Sequence, residues 1–374
     1  MKNNPKKRIA LFGGSFDPVH TDHLSMALAC KEDLKFDEIW MIPTFLSPFK
    51  ISVNTTNKHR IEMLNIMIEG YDFIKIQEFE INNNKPTPTI ETVKHFKSIY
   101  PEYDFAFVIG TDNLDRLEEW NNFYELIDLV EFIVFKRSEN FKSNIAKKYN
   151  FKIYDFKNTF LSSTNIRKLV DIENQDKRIN QYINDHLLYL NKRLEPFLDE
   201  ERYQHCINVG EMAYLLAIKH KVNVHKARIA GTLHDVTKRW PKDRQLEYLN
   251  KYNPELIEEP FAVWHSYTGA FHLKYDWLIT DQEIINAVFN HTVGSDKMTD
   301  LDMVVFCADK ISKERNYENV NFFRAECFKD LKNGFKLLLE QQLINATQNK
   351  DVNNLGKNIF KTAKKYLKGD KRWN

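Results

Sequence analysis

Residues 8–24 read RIALFGGSFDPVHTDHL, and this stretch decides the fold of the first half of the chain. The apolar run 8–12 predicts a buried β-strand, and the two glycines after it allow a tight turn in which a ligand approaches backbone N–H groups. A helix beginning after the turn offers unpaired N–H groups and the positive end of its dipole, which favour phosphate. His20 and His23 are three residues apart and share one face of its first turn, where they can donate hydrogen bonds to a transferred phosphoryl group. Two surface histidines or half of a metal site are the alternatives, but the complete string between strand and helix is more specific.

The rest of the first half alternates short apolar, β-rich runs with helical patterns. The strand-like runs are 38–42, 105–109 and 132–135, and the helical patterns are 58–68 and 89–99. This alternation predicts a Rossmann-like, doubly wound α/β parallel sheet that binds ligands at the carboxyl ends of its strands.

The second half shows long helical periodicities and almost no strand signal, which predicts an all-α domain. The clearest helical segments are 201–219, 283–290 and 333–346. A length of 374 residues also favours two domains. We therefore predict domains over residues 1–190 and 191–374, although no Gly/Ser-rich linker marks the join.

Composition narrows the class of protein. The chain has 54 basic and 52 acidic residues, a near-balance that argues against a nucleic-acid binder. It has four cysteines without C-x-x-C spacing, as in reduced cytosolic proteins, and no apolar run long enough for a signal peptide or membrane span. We expect a cytoplasmic protein that binds neither nucleic acid nor membrane. The sequence leaves the oligomeric state open, including a homo-oligomer.

A second motif, LSSTNIR, occupies residues 161–167 near the end of the first predicted domain. Its consecutive hydroxyls are good helix N-caps, which is one reading. The same hydroxyls, the amides of the helix start and Arg167 also make a second phosphate-binding helix start. Capping and binding are compatible.

Together the two motifs resemble the nucleotidyltransferase superfamily. Within it, residues 86–92 (PTPTIET), residues 109–112 (IGTD) and Trp120 resemble the nicotinate mononucleotide adenylyltransferase family, over about residues 8–190. The resemblance implies transfer of AMP from Mg²⁺-bound ATP to nicotinate mononucleotide, without a covalent enzyme intermediate. It implies catalytic roles for His20, His23 and Arg167. It also implies nucleotide contacts from Gly13, Gly14, Ser15, Phe16, His20, His23, Lys50, Thr92, Asp112, Trp120, Ser162, Ser163, Thr164 and Arg167.

Two departures from the family pattern leave alternatives open. Asp22 stands where the family usually has glycine, and it either leans away from the histidines or raises their pKa. Thr87 and Pro88 replace the usual Ser-Tyr. Pantetheine-phosphate adenylyltransferases share the first motif and are the alternative for this half. The choice between nicotinate and nicotinamide mononucleotide stays open.

The helical half contains a set of histidines and aspartates of the kind that bind Fe, Mn, Co or Zn. They are His205, His234, Asp235, His265, His291 and Asp309. We predict one metal site from His205, His234, Asp235 and Asp309, and a second from His265 and His291, with Asp235 as the bridge. Surface or capped core histidines are the alternative, and we assign His220, His225 and His272 to that group.

Residues 230–238 (AGTLHDVTK) resemble the central helix of HD-domain phosphohydrolases. The stretches 202–205, 264–270, 291–294 and 308–311 are similar to the symmetrical dinucleoside tetraphosphate hydrolases, over about residues 195–370. This resemblance implies hydrolysis of diadenosine tetraphosphate to two ADP with one or two transition metal ions, iron being favoured over Mn, Co or Zn. It implies a catalytic Lys238 and a phosphate contact from Arg315. The alternative is a regulatory module that senses a nucleotide without hydrolysing it.

Overall fold

The computed structural model describes residues 6–46, 54–137, 144–194, 198–348 and 356–367. The chain divides into two compact units, Met1–Tyr182 and Ile183–Asn374, so the predicted boundary after residue 190 falls within the second unit. Among the described residues, no helix is both long enough and apolar enough to cross a bilayer.

The first unit is built on one six-stranded, fully parallel sheet. Its strands are β1 (Arg8–Gly14), β2 (Glu38–Pro43), β3 (Ile74–Ile76), β4 (Asp104–Gly110), β5 (Glu131–Phe135) and β6 (Ile153–Tyr154). Their order is β3-β2-β1-β4-β5-β6, so the chain winds outward from β1 in one direction and then from β4 in the other. The predicted Rossmann-like, doubly wound sheet is confirmed, and ligands in such sheets bind where the winding reverses.

Helices connect these strands, because parallel neighbours require crossover connections, and two more helices follow β6. They are α1 (Thr21–Glu32), α2 (Asn57–Ile68), α3 (Phe79–Asn82), α4 (Thr89–Ile99), α5 (Phe123–Leu129), α6 (Asn144–Lys148), α7 (Ser163–Arg167) and α8 (Lys177–Asp185), with 3₁₀ turns at Thr111–Glu119 and Ile172–Asn174. The central strand β1 is apolar and buried from Ile9 to Phe12 because both faces are covered, and Ile9, Ala10 and Leu11 are fully buried.

The second unit is helical throughout its described residues, which confirms the predicted all-α class. Its helices are α9 (Leu190–Leu194), α10 (Glu200–His220), α11 (Val224–Leu233), α12 (Lys242–Tyr252), α13 (Phe261–Tyr275), α14 (Gln282–Asn290), α15 (Asp300–Ile311), α16 (Val320–Lys329), α17 (Leu331–Gln348) and α18 (Gly356–Tyr366), with a 3₁₀ turn at Pro254–Glu258. Side-chain caps fix several starts: Asp199 accepts a hydrogen bond at the start of α10, and Thr299 at the start of α15.

Candidate active sites

A cavity of about 600 Å³ opens at the carboxyl ends of β1 and β4, where the winding of the sheet reverses. Most predicted nucleotide contacts line it: Gly13, Gly14, Ser15, Phe16, His20, His23, Asp112, Trp120, Ser162, Ser163, Thr164 and Arg167. Lys50 lies outside the described residues. The fold therefore brings both phosphate motifs and the end of β4 around one space.

The rings of the two histidines of the first motif are in contact at the start of α1, tilted by 35° to each other. Their ring centroids are 3.7 Å apart, and the backbone N–H of His20 donates to Nδ1 of His23 over 3.1 Å. Burial, with a smaller contribution from Arg137, holds the pKa of His20 well below its usual value. Nδ1 of His20 is buried and finds no hydrogen-bond partner in the described chain. A neutral His20 can still donate one hydrogen bond to a phosphate oxygen.

Asp22 leans away from the histidines. Its fully buried carboxylate accepts hydrogen bonds from the N–H of Thr159 (2.9 Å), the hydroxyl of Thr159 (2.7 Å) and the N–H of Leu161 (2.9 Å). Of the two alternatives for Asp22, this geometry supports the first. The Asp22 carboxylate therefore joins α1 to residues Thr159 and Leu161, at the start of the second motif.

The second motif makes further contacts with the first. Ser162 caps α7 with its side chain, as one of the two readings predicts. Arg167 donates from Nη1 to the carbonyl of Asp17 over 2.5 Å, and the hydroxyl of Ser163 donates to the carbonyl of Pro18 over 2.8 Å. Ser162, Ser163 and Arg167 also line the cavity, so the helix cap and the cavity wall are formed by the same short segment.

Sequence reasoning missed Arg137, which lines the same cavity. Its Nη1 donates to Oδ2 of Asp112 over 3.3 Å, and its Nη2 donates to the carbonyl of Leu161 over 2.9 Å. A signal was available, because Arg137 comes two residues after the end of β5 and therefore at the ligand-binding edge of the sheet.

Glu80 is a second cavity residue that the sequence did not indicate. It is buried, and burial raises the pKa of its carboxyl to about 7, although the hydrogen bond from Thr92 opposes the rise. The hydroxyl of Thr92 donates to Oε1 of Glu80 over 2.7 Å. Thr92 is fully buried and does not line the cavity, although the sequence predicts a nucleotide contact for it. Its hydroxyl instead contacts Glu80, which does line the cavity.

In the second unit, the fold gathers all six predicted metal ligands. Asp235 lies at the centre: its Oδ1 is 3.3 Å from Nε2 of His265 and 3.5 Å from Nε2 of His291, and its Oδ2 is 3.6 Å from Nε2 of His234. Two groups have their ligand atoms close enough to share an ion, His205 with His234 and Asp235, and Asp235 with His265 and His291. Asp235 belongs to both groups, as a bridging ligand must.

Asp309 completes the first group. Its Oδ1 lies 3.2 Å from Nε2 of His205 and 3.6 Å from Nε2 of His234. Both of these nitrogens are buried and make no hydrogen bond to any described residue. Ligand atoms about 2.1 Å from one cation lie about 3 Å or more apart, so the spacing and the unsatisfied nitrogens fit a metal ion.

The local backbone fixes the orientation of two of these rings. Nδ1 of His234 lies 2.7 Å from the carbonyl of Gly231, and Nδ1 of His291 lies 2.6 Å from the carbonyl of Val288. A carbonyl accepts only from a protonated Nδ1, so Nε2 of each neutral ring carries the lone pair. That lone pair faces Asp235.

The charges of the cluster suit metal binding. Burial opposes ionisation of Asp235 and Asp309, but the surrounding histidines outweigh it and hold the pKa of each carboxyl well below its usual value. Burial lowers the pKa of His265 and of His291. The pKa of His234 is raised, because the two carboxylates outweigh its burial. The anionic carboxylates and the neutral forms of His265 and His291 are ready to bind metal, whereas His234 binds it only after losing its proton.

Several cationic side chains lie beside these ligands. Nζ of Lys238 lies 3.2 Å from Nε2 of His265, and Arg315 donates from Nη2 to Oδ1 of Asp309 over 2.8 Å. Arg202, which sequence reasoning missed, donates to Oδ2 of Asp235 over 2.9 Å. Its position three residues before His205 on α10 was the available signal, since residues three apart share a helix face.

Two family models match the chain, cytidylyltransferase-like over residues 11–169 and HD domain over residues 202–314. A protein of Mycoplasma genitalium named "probable nicotinate-nucleotide adenylyltransferase/Ap4A hydrolase" is 35% identical over 322 residues, 84% of this chain and 89% of the relative. Its namesake from Mycoplasma pneumoniae is 31% identical over 309 residues, 82% of this chain and 89% of the relative.

Among solved structures, the nicotinic acid mononucleotide adenylyltransferase of Plasmodium falciparum in complex with NaAD is 26% identical, with a TM-score of 0.44, and the match covers 49% of this chain and 97% of that one. The alignments to the two Mycoplasma relatives cover 84% and 82% of the chain, and therefore parts of both halves. The chain therefore belongs to the nicotinate-nucleotide adenylyltransferase/Ap4A hydrolase family.

Proposed function

We propose that the protein is a bifunctional enzyme. Its first activity transfers AMP from ATP to nicotinate mononucleotide, and its second hydrolyses diadenosine tetraphosphate to two ADP. We assign the transferase to residues 1–190 and the hydrolase to residues 191–374. Four buried, free cysteines fit a reducing compartment, and we place both activities in the cytoplasm.

The observation that supports the transferase is the closure of two phosphate motifs around one cavity at the strand ends. In the proposed reaction, a phosphate oxygen of the mononucleotide attacks the α-phosphorus of ATP, and pyrophosphate leaves. His20, His23 and Arg167 donate hydrogen bonds to the phosphates, so the enzyme contributes positioning and charge stabilisation. Magnesium bound with ATP neutralises part of the phosphate charge. The apolar wall that includes Phe107 and Trp120 accommodates a base.

Product analysis tests the transferase directly. Purified protein is incubated with ATP and, separately, nicotinate mononucleotide, nicotinamide mononucleotide or phosphopantetheine. We expect the nicotinate dinucleotide and equimolar pyrophosphate. Turnover of phosphopantetheine at equal or better efficiency would instead support a pantetheine-phosphate adenylyltransferase. The names of the relatives do not favour that alternative.

The observation that supports the hydrolase is the bridging position of Asp235 between two ligand groups. We propose that these groups bind one or two transition metal ions, with iron favoured and manganese, cobalt and zinc compatible with the ligands. When bound, such an ion lowers the pKa of a water molecule and polarises a phosphate. Lys238, Arg202 and Arg315 hold the phosphate chain and neutralise charge on the departing ADP.

The hydrolase test combines elemental analysis with product analysis. Protein is incubated with diadenosine tetraphosphate before and after removal of metal by a chelator. We expect ADP as the sole nucleotide product, and its loss on chelation and return with added metal. Release of ATP and AMP would contradict symmetrical cleavage, and tight binding without any cleavage would support the regulatory alternative.

A further inference from the structure

The turn that follows α15, residues 312–315, contacts two of the proposed metal ligands. Arg315 donates from Nη2 to Oδ1 of Asp309 over 2.8 Å and from Nε to the Asp309 carbonyl over 2.9 Å. On the other side, Oε1 of Glu314 lies 2.5 Å from Nδ1 of His205. One short turn therefore contacts a histidine and an aspartate of the same ligand group.

We propose that Glu314 is the positioning residue of His205, an inference that rests on the metal-dependent hydrolase proposed above. A carboxylate accepts from a protonated Nδ1, so the lone pair of His205 is placed on Nε2, which faces Asp309 over 3.2 Å. His234 and His291 donate to backbone carbonyls instead. A carboxylate is the stronger acceptor, and it makes the imidazole a more basic ligand.

The turn holds Glu314 in this position from two directions. The hydroxyl of Ser312, which is fully buried, donates to the same oxygen of Glu314 over 2.6 Å. Arg324 on α16 donates to the carbonyls of Ile311 (2.9 Å), Ser312 (2.7 Å) and Arg315 (2.9 Å). A surface ion pair between two mobile side chains contributes little, but here the backbone that carries Glu314 is fixed.

Cobalt binding to the metal-free full-length protein tests the proposal without using activity. Co²⁺ is titrated into wild type, Glu314→Gln and Glu314→Ala, and visible absorbance follows binding. Loss of a hydrogen-bond partner of this kind costs about 10–100-fold in metal affinity. Because the Glu314 side chain is 34% exposed, we expect a loss at the lower end of this range. Glu314→Ala should lower the affinity for Co²⁺ about tenfold at one of the two binding steps. Glu314→Gln should lower it less, because the amide oxygen of glutamine still accepts a hydrogen bond. Glu318→Gln, an exposed carboxylate four residues away, is the matched control and should bind like wild type.

Repeating the Glu314→Ala substitution in a His205→Ala variant distinguishes a positioning role of Glu314 from general damage to the structure. In His205→Ala, the imidazole that Glu314 orients is absent, so adding Glu314→Ala should cause no further loss of cobalt affinity. An equal loss in both backgrounds would overturn the proposal, as would a change of less than about twofold in Glu314→Ala itself. Failure of wild type to bind Co²⁺ at all would refute the metal centre, and this inference with it.

Discussion

Asp22 should stabilise the first unit strongly, because its buried carboxylate accepts three hydrogen bonds from Thr159 and Leu161. A hydrogen bond to a charged group contributes about 1.5–3 kcal/mol, and removing the acceptor leaves the donors unsatisfied. The three bonds share one carboxylate and do not simply add. We expect Asp22→Ala to lower the free energy of unfolding by about 3–5 kcal/mol. Alanine is preferred to the family's glycine because it carries no helix-propensity cost in α1.

Differential scanning calorimetry of the full chain measures this effect, with Asp33→Ala as the control. Asp33 is an exposed carboxylate at the other end of α1. We expect the melting temperature of the first unit to fall by roughly 10 °C in Asp22→Ala and to stay constant in the control. Affinity for ATP should fall as well, because the segment that carries the second motif loses its anchor. If Asp22→Ala melts like Asp33→Ala, Asp22 does not join the two motifs.

Three further predictions concern the two sites. His23→Ala should lower adenylyl transfer by about 10²–10³-fold while tetraphosphate hydrolysis persists, and equal loss of both activities in folded protein would contradict separate sites. Asp235→Ala should remove bound metal, as measured by elemental analysis, and abolish ADP release, whereas His291→Ala should retain part of the metal; normal hydrolysis by Asp235→Ala would show that the HD site is not catalytic. The free energy of unfolding of wild type, measured relative to that of Glu80→Gln, should fall by about 3 kcal/mol as pH rises from about 4.5 to above 7, because the pKa of Glu80 is raised to about 7 in the fold; a pH dependence unchanged in Glu80→Gln would refute that origin.

The sequence predicted the parts of the fold that follow from local periodicity. The predicted helix 89–99 coincides with α4, and the predicted strand 105–109 lies inside β4. The edge strands β3 and β6 were not predicted, because they contain only three and two residues and carry no apolar run. A short edge strand depends on its neighbour for pairing, which no local pattern records.

The same limit separates the predicted from the unpredicted site residues. The six metal ligands could be found because each is a ligand type within a recognisable local string. Asp22 could not be assigned, because its partners Thr159 and Leu161 lie 137 and 139 residues away and their position depends on the whole crossover. Glu314 has the same difficulty, since its partner His205 is 109 residues away. Contacts of this range are set by topology, so sequence spacing alone does not reveal them.

Arg324 connects α16 to the turn that contacts the proposed metal ligands. A local opening of this helix withdraws the guanidinium and frees the turn that carries Glu314 and Arg315. Linkage is reciprocal, so an ion that binds better to the ordered turn must lower the population of the open form. Backbone amides of Val320–Lys329 should then exchange with deuterium more slowly in the loaded protein. A helix that supplies none of the six proposed ligands would thus report on occupancy through its exchange rates.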